Sequence, residues 1–195
     1  MHCDPGDTLG FSSWSRLGIG INLCTWGVPF WGLSHVAGIV RLPGESRLVI
    51  CESTTTCAEP CLLCGQRHDG VQFHYIPQRI REYRGLVWRY PLKRRMTLHE
   101  SRRVGAWCMA QHGKGYDYLG AFGARETLAA CLLRKPEDLQ SLFCSELWAA
   151  ALREIGRLDT DNASAWSPNL LCRRLRRRGV VKKPQKIKGK PCPKH

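Results

Sequence analysis

The chain lacks any long apolar run of the kind that spans a bilayer. Its one uncharged stretch, between Arg16 and Arg41, is broken by Pro29, five glycines, Asn22, Thr25, Ser34 and His35 and ends in a strand-like pattern. A spanning helix needs sustained helix-compatible apolar sequence, so a membrane anchor is not expected. The opening MHCDPGDTLG has neither a basic n-region nor an apolar h-region, so no export signal is expected. There is no internal repeat, which sets repeat architectures aside. Acids are missing from Arg173 to His195, where 11 Lys or Arg accumulate, leaving +3 of the net +14 for everything before. The global charge therefore says little about the body of the protein.

What is present is an ordinary globular composition, 43% hydrophobic over 195 residues, enough for one domain with a sizeable core. Eleven cysteines are many, but the number is odd and the chain is long for a disulfide scaffold. Mostly reduced thiols in a cytoplasmic compartment are expected. After Cys172 the composition collapses into Arg, Lys, Pro and Gly, so residues 1–172 form the expected domain and 173–195 a disordered basic tail. Such a tail suits an anionic polymer, an acidic membrane surface or nucleic acid, or serves only as a solubilising terminus. It has no interleaved aromatics for base stacking.

The first part of the chain reads as β-rich. Asp7–Phe11 is a short strand, and HVAGIVR (35–41) and RLVICE (47–52) flank a Pro43-Gly44 turn as a hairpin. Val71–Ile76 and Leu86–Leu92 are further strands. The second part is helical. Thr97 and Glu100 form a capping box that opens a helix with Val104, Trp107 and Cys108 on one face. A shorter helix is expected over Glu126–Leu133. SELWAAALREI (145–155) places Leu147, Trp148, Ala151, Leu152 and Ile155 on one stripe before Gly156.

Hairpin arithmetic brings two of these residues together. If Arg41 and Ser46 close a four-residue loop, paired residues have numbers that sum to 87, and His35 lies opposite Glu52. A carboxylate there fixes the imidazole tautomer and raises its basicity, the base-and-orienter half of a nucleophilic triad. A register slip of one residue would separate them. Cys144, in FCSELW, stands where the strongest amphipathic helix begins. The helix dipole there favours the thiolate, and unpaired N–H groups can receive a developing oxyanion. Ser145 leaves room for substrate, and Glu146 suits the helix start.

The SHVAGIV run, the LVICES strand, the GKGYDY segment and the FCSELW helix start, in that order, resemble the circularly permuted papain-like amidases. These are YiiX/YaeF-like relatives of the NlpC-type peptidoglycan hydrolases, and more distantly of the lecithin retinol acyltransferase group. The resemblance runs from about Asp7 to Leu171, from GDTLGF to the closing SPNLL. It implies an α+β fold in which an antiparallel sheet packs against helices and the nucleophile sits at a helix N-terminus. It also implies Cys144 as nucleophile, His35 as base and Glu52 as third member. Tyr116 would line the active site, with Asp117 beside it. A bacterial or phage-type origin would follow from the same likeness. The expected substrate is a small peptide amide of cell-wall type. An acyl-lipid esterase or thiol acyltransferase activity is the alternative within the fold.

One cluster competes with this reading. Cys57, Cys61, Cys64 and His68 have spacing that can hold zinc, which would suit a non-enzymatic, zinc-stabilised nucleic-acid-binding module with a basic tail. The same cysteine spacing occurs in enzymes that bind a [4Fe–4S] cluster with S-adenosylmethionine, but this chain has no room for their barrel. The default expectation is a loop of reduced thiols, with no metal or organic cofactor. His74, His99 and His112 have no carboxylate partner by spacing and are read as structural.

Overall fold

The structure, a computed structural model, describes residues 2–13, 32–55, 57–116, 143–159, 162–163 and 166–189. Among these, six strands form one antiparallel sheet: β1 (Thr8–Ser13), β2 (His35–Val40), β3 (Val49–Thr54), β4 (Gly70–Tyr75), β5 (Gly85–Tyr90) and β6 (Gln185–Lys188). Their spatial order is β4-β3-β2-β1-β5-β6. The helices are α1 (Ile76–Glu82), α2 (Leu98–Ala110), α3 (Cys144–Glu154) and α4 (Pro168–Arg177). The α+β expectation agrees with this architecture. The expected helix over Glu126–Leu133 and the residue Asp117 lie outside the described residues. No helix among the described residues is long and apolar enough to cross a membrane.

Side chains alternate across the sheet and divide the core in two. Val36, Val40, Val49, Cys51, Val71 and Phe73 face α2, α3 and α4. Leu9, Phe11, Ala37, Ile39, Ile50 and Val87 face α1. In the first layer α3 is seated by its Trp148, fully buried, which lies over Gly38 and donates its indole N–H to the Thr8 hydroxyl at 2.7 Å. A Cβ on Gly38 would come within 2.0 Å of that ring, so the strand is smooth where the helix crosses it. The Thr97–Glu100 capping box of α2 forms as expected.

The hairpin register differs from expectation. Gly38, Ile39 and Val40 pair with Cys51, Ile50 and Val49, so paired numbers sum to 89 rather than 87, and the connection is longer than four residues. The reason lies in the loop. Leu42 turns into the core, and the Arg41 carbonyl packs against Gly105 of α2 at a distance that leaves no room for a Cβ. Residues that would have lengthened the ladder seat a helix instead. A shift of two preserves the faces, so His35 and Glu52 remain on the same side.

The expected tail is also different. Ser167 caps α4, its hydroxyl accepting the Leu170 N–H, and Pro168 occupies the first turn. Leu171, Cys172 and Leu175 are buried, so Arg173, Arg174, Arg176 and Arg177 belong to the remaining faces of an amphipathic helix. Beyond it, β6 pairs with β5, and the Lys188 ammonium donates to the carbonyls of Ile80, Arg81 and Tyr83 at the end of α1. Residues 173–189 are thus part of the folded body. Three apolar residues at helical spacing and a free sheet edge outweigh the polar composition.

Candidate active site

Glu52 is fully buried on the α1 face. Its Oε2 lies 2.7 Å from His35 Nε2 and 3.0 Å from Arg79 Nη2, and its Oε1 receives Arg79 Nε at 2.5 Å. Continuing the observed register places Glu52 beside Ala37, diagonal to His35 and within reach of a long side chain. Burial alone would raise the Glu52 pKa. The Arg79 charge, the His35 hydrogen bond and the Arg79 hydrogen bonds together outweigh it and hold the carboxyl well below the usual range. The same carboxylate raises the Arg79 pKa against the pull of its burial. The His35 ring also lies 5.2 Å from the Phe11 ring, which holds it against the sheet. With Nε2 committed to Glu52, the Nδ1 of His35 is the nitrogen left for proton transfer.

Sequence reasoning missed Arg79. Its signal was present: in IPQRIRE, Arg79 stands three residues after buried Ile76 and next to Ile80, a charge on an apolar stripe. A buried guanidinium in that place needs a buried carboxylate.

Cys144 approaches from the other side. It opens α3 and belongs to the core that faces α2–α4. A thiol and an imidazole on opposite faces of an unbroken sheet would be kept apart. Here the β2–β3 ladder runs over Gly38–Val40, although both strands have six residues. Ile39 donates its N–H toward β1, to the Asp7 carbonyl, and N–H directions alternate along a strand. The Val36 N–H therefore points toward β3, on the side where it lowers the Cys144 pKa. The thiol is seated where the two strands part, against the residue that follows His35.

The backbone N–H groups that act on the thiol are those of Val36 and Ser145. Burial pushes the thiol up to about 12, and the charges of Glu146 and Glu52 act the same way. The two N–H groups pull in the opposite direction without compensating. The low pKa expected at a helix start is therefore reversed in this closed arrangement, because desolvation outweighs the dipole. Around the thiol, Glu146 accepts the Phe143 N–H at 2.9 Å, and the Ser145 hydroxyl donates to the Trp166 carbonyl. Ser145 is thus engaged as a tether rather than lining open space. Tyr116 meets the Phe143 ring edge-on at 6.0 Å, one residue from Cys144.

Next to that tether, Trp166, Leu170, Arg173, Arg174 and Arg177 line an open hollow of about 310 Å³. The Arg174 guanidinium lies over the Trp166 ring. The basic residues of α4 are thereby presented near the start of α3.

The expected set Cys57, Cys61, Cys64 and His68 does not assemble as one. Cys57 sits apart, its sulfur 3.8 Å from His74 Nδ1 and grouped with Glu52. The other three gather with His112, which spacing alone had left structural. His74 is buried, its Nε2 bonded to Gln72 Oε1, and burial lowers its pKa despite the nearby Glu52.

No family model matches the chain, and no curated protein sequence matches it. Among solved structures, it is similar to the metalloprotein yiiX from Escherichia coli O157:H7, DUF1105, with a TM-score of 0.56 and 12% identity. The similarity covers 94% of this chain and 88% of that one. The fold is YiiX-like. At this identity the likeness speaks for the fold and not for the chemistry.

Proposed function

We propose that this protein is a cysteine hydrolase of the permuted papain-like type, with Cys144 as nucleophile, His35 as base and Glu52 as the residue that orients it. The observation that carries this reading is the His35–Glu52 pair, 2.7 Å apart, next in the chain to Val36, whose backbone N–H acts on the Cys144 thiol. The YiiX-like fold and the chain order support it.

At rest the buried thiol is protonated. The reaction starts when His35 Nδ1 reaches it and takes the proton, and the Glu52 carboxylate stabilises the resulting imidazolium. The sulfur attacks the carbonyl carbon of an amide or ester. Negative charge develops on the carbonyl oxygen, which backbone N–H groups at the start of α3 can receive. Collapse of the intermediate expels the amine or alcohol, which takes the proton from His35. A water deprotonated by the same ring then cleaves the thioester and restores the thiol. An acceptor alcohol or amine in place of water would make the enzyme an acyltransferase. Arg173 and Arg177 of the neighbouring hollow suit a substrate with an anionic portion, and a cell-wall-type peptide amide meets that description.

The test is acyl trapping. Incubation of the full chain with activated peptidyl and lipid acyl esters is expected to leave a thioester on Cys144, detected by mass spectrometry. Cys144→Ala should abolish it, and His35→Ala should slow it by ~10²–10⁴-fold, the usual share of a general base. Turnover that survives Cys144→Ala, or acylation indifferent to His35, would overturn the reading.

A further inference from the structure

The β3–β4 loop and the end of α2 bring together four soft or borderline ligands with no role in the chemistry above. The ligand atoms of Cys61, Cys64, His68 and His112 all lie within 4.8 Å of one another. Cys61 Sγ and His112 Nε2 are 3.4 Å apart. Zinc bonds of about 2.3 Å to sulfur and 2.0–2.1 Å to nitrogen give a tetrahedron with edges of roughly 3.3–3.8 Å, so this pair already spans one edge.

Each side of the cluster carries preparation for a cation. His68 donates through Nδ1 to the Asp69 carbonyl at 3.1 Å, which leaves Nε2 as the lone-pair nitrogen. That Nε2 is buried and has no hydrogen-bond partner among the described residues. A buried acceptor with nothing to accept is costly, and a metal ion is the partner such a ring orientation suits. The Cys61–Cys64 turn is closed by the Gly65 N–H to the Cys61 carbonyl at 2.8 Å and the Cys61 N–H to the Gln66 carbonyl at 2.9 Å. Gly65, at φ +67°, supplies the left-handed residue that lets the chain fold back after the second cysteine. The Phe73 N–H points at Cys61 Sγ, 3.4 Å away, a contact that stabilises a thiolate.

We propose that Cys61, Cys64, His68 and His112 form a tetrahedral Zn²⁺ site that ties the β3–β4 loop to the C-terminal end of α2. Binding exchanges the metal for two thiol protons, which leave to solvent, while both imidazoles bind neutral; nothing is oxidised or reduced. Two sulfurs and two nitrogens in a closed set suit zinc in a structural role rather than a catalytic one, since no position is left for water. The link reaches toward the active site through the strand it braces. Val71 of β4 exchanges backbone hydrogen bonds with Lys114 and Gly113, just past His112, and β4 carries Gln72 opposite Glu52.

The test uses the full chain, stripped of metal under reducing conditions and titrated with Co²⁺ and then Zn²⁺. One equivalent of Co²⁺ should give thiolate-to-metal charge-transfer absorption with tetrahedral ligand-field bands, and Zn²⁺ should displace it. X-ray absorption should find two sulfurs and two nitrogens about the zinc. Cys64→Ser, at an exposed position, and His112→Ala should each weaken binding by more than the roughly 10–100-fold of a lost outer-shell partner. Cys57→Ser should bind as the parent does. No tetrahedral cobalt spectrum in the parent chain, or a spectrum lost with Cys57→Ser and kept with Cys64→Ser, would overturn the proposal.

Discussion

The Glu52 carboxylate has no water to turn to, so its charge is stable only while Arg79 and His35 face it. Arg79→Met should leave a buried carboxylate half-compensated and cost ~3–5 kcal/mol, read by urea denaturation. Adding Glu52→Gln to it should recover part of that loss, because the orphaned charge is gone; a double variant as unstable as the sum of the singles would contradict the pairing. At this scale the sequence was informative where chemistry is local. His35 and Glu52 could be brought together because strand periodicity survives a register error of two. Arg79 is legible as a charge on an apolar stripe. His112 could not be found, since it stands 44 positions after His68 and only the return of the chain past β4 joins them. The direction of the Cys144 pKa was misjudged because a helix start can be recognised in sequence, whereas its burial under Trp148's layer cannot.

Among the elements, α3 and β2 depend most closely on each other. Gly38→Ala would drive a methyl into the Trp148 ring, with the nearest ring atom 2.0 Å away. Either the helix or the strand must yield, and a cost of ~1–3 kcal/mol is expected in denaturation followed by tryptophan fluorescence. Since Cys144 lies one turn before Trp148, acylation of the thiol should slow in the same variant. Strands β1 to β5 and helices α2 and α3 were readable, because alternation, the Thr97–Glu100 box and the Leu147–Trp148–Ala151 stripe are strong periodic signals. Helix α1 is seven residues long and follows β4 without a loop, so its short Ile76–Ile80 stripe reads as a continuation of the strand. Helix α4 carried a Ser-Pro start and three spaced apolar residues, but its arginines dominated the composition. β6 has no alternation of its own and is a strand because β5 offers it an edge.

Taken whole, the molecule is arranged to weaken in acid. His74, neutral through burial, has a folded pKa below its unfolded value near 6.5, so acidification below that point protonates the unfolded chain preferentially. Glu100 is lowered to about 2, chiefly by its bidentate hydrogen bonds to Arg157, and Glu52 is also lowered. Depressed carboxylates contribute their full stability above the unfolded value of about 4.3 and lose it as pH falls toward the folded one. All three therefore act in one direction. Stability measured in urea should be highest near neutrality, decline from about pH 6.5, and fall more steeply below about 4.3. A profile flat from pH 7 to 4, or rising toward acid, would contradict these assignments. The same architecture also offers a spectroscopic handle. The Val36 amide, pointing toward β3 beyond the end of the ladder, is a backbone reporter beside the thiol. Its proton resonance and exchange rate should change when Cys144 is acylated, alkylated or oxidised, while the Gly38 amide two residues on, held within the β2–β3 pairing, stays as an internal reference.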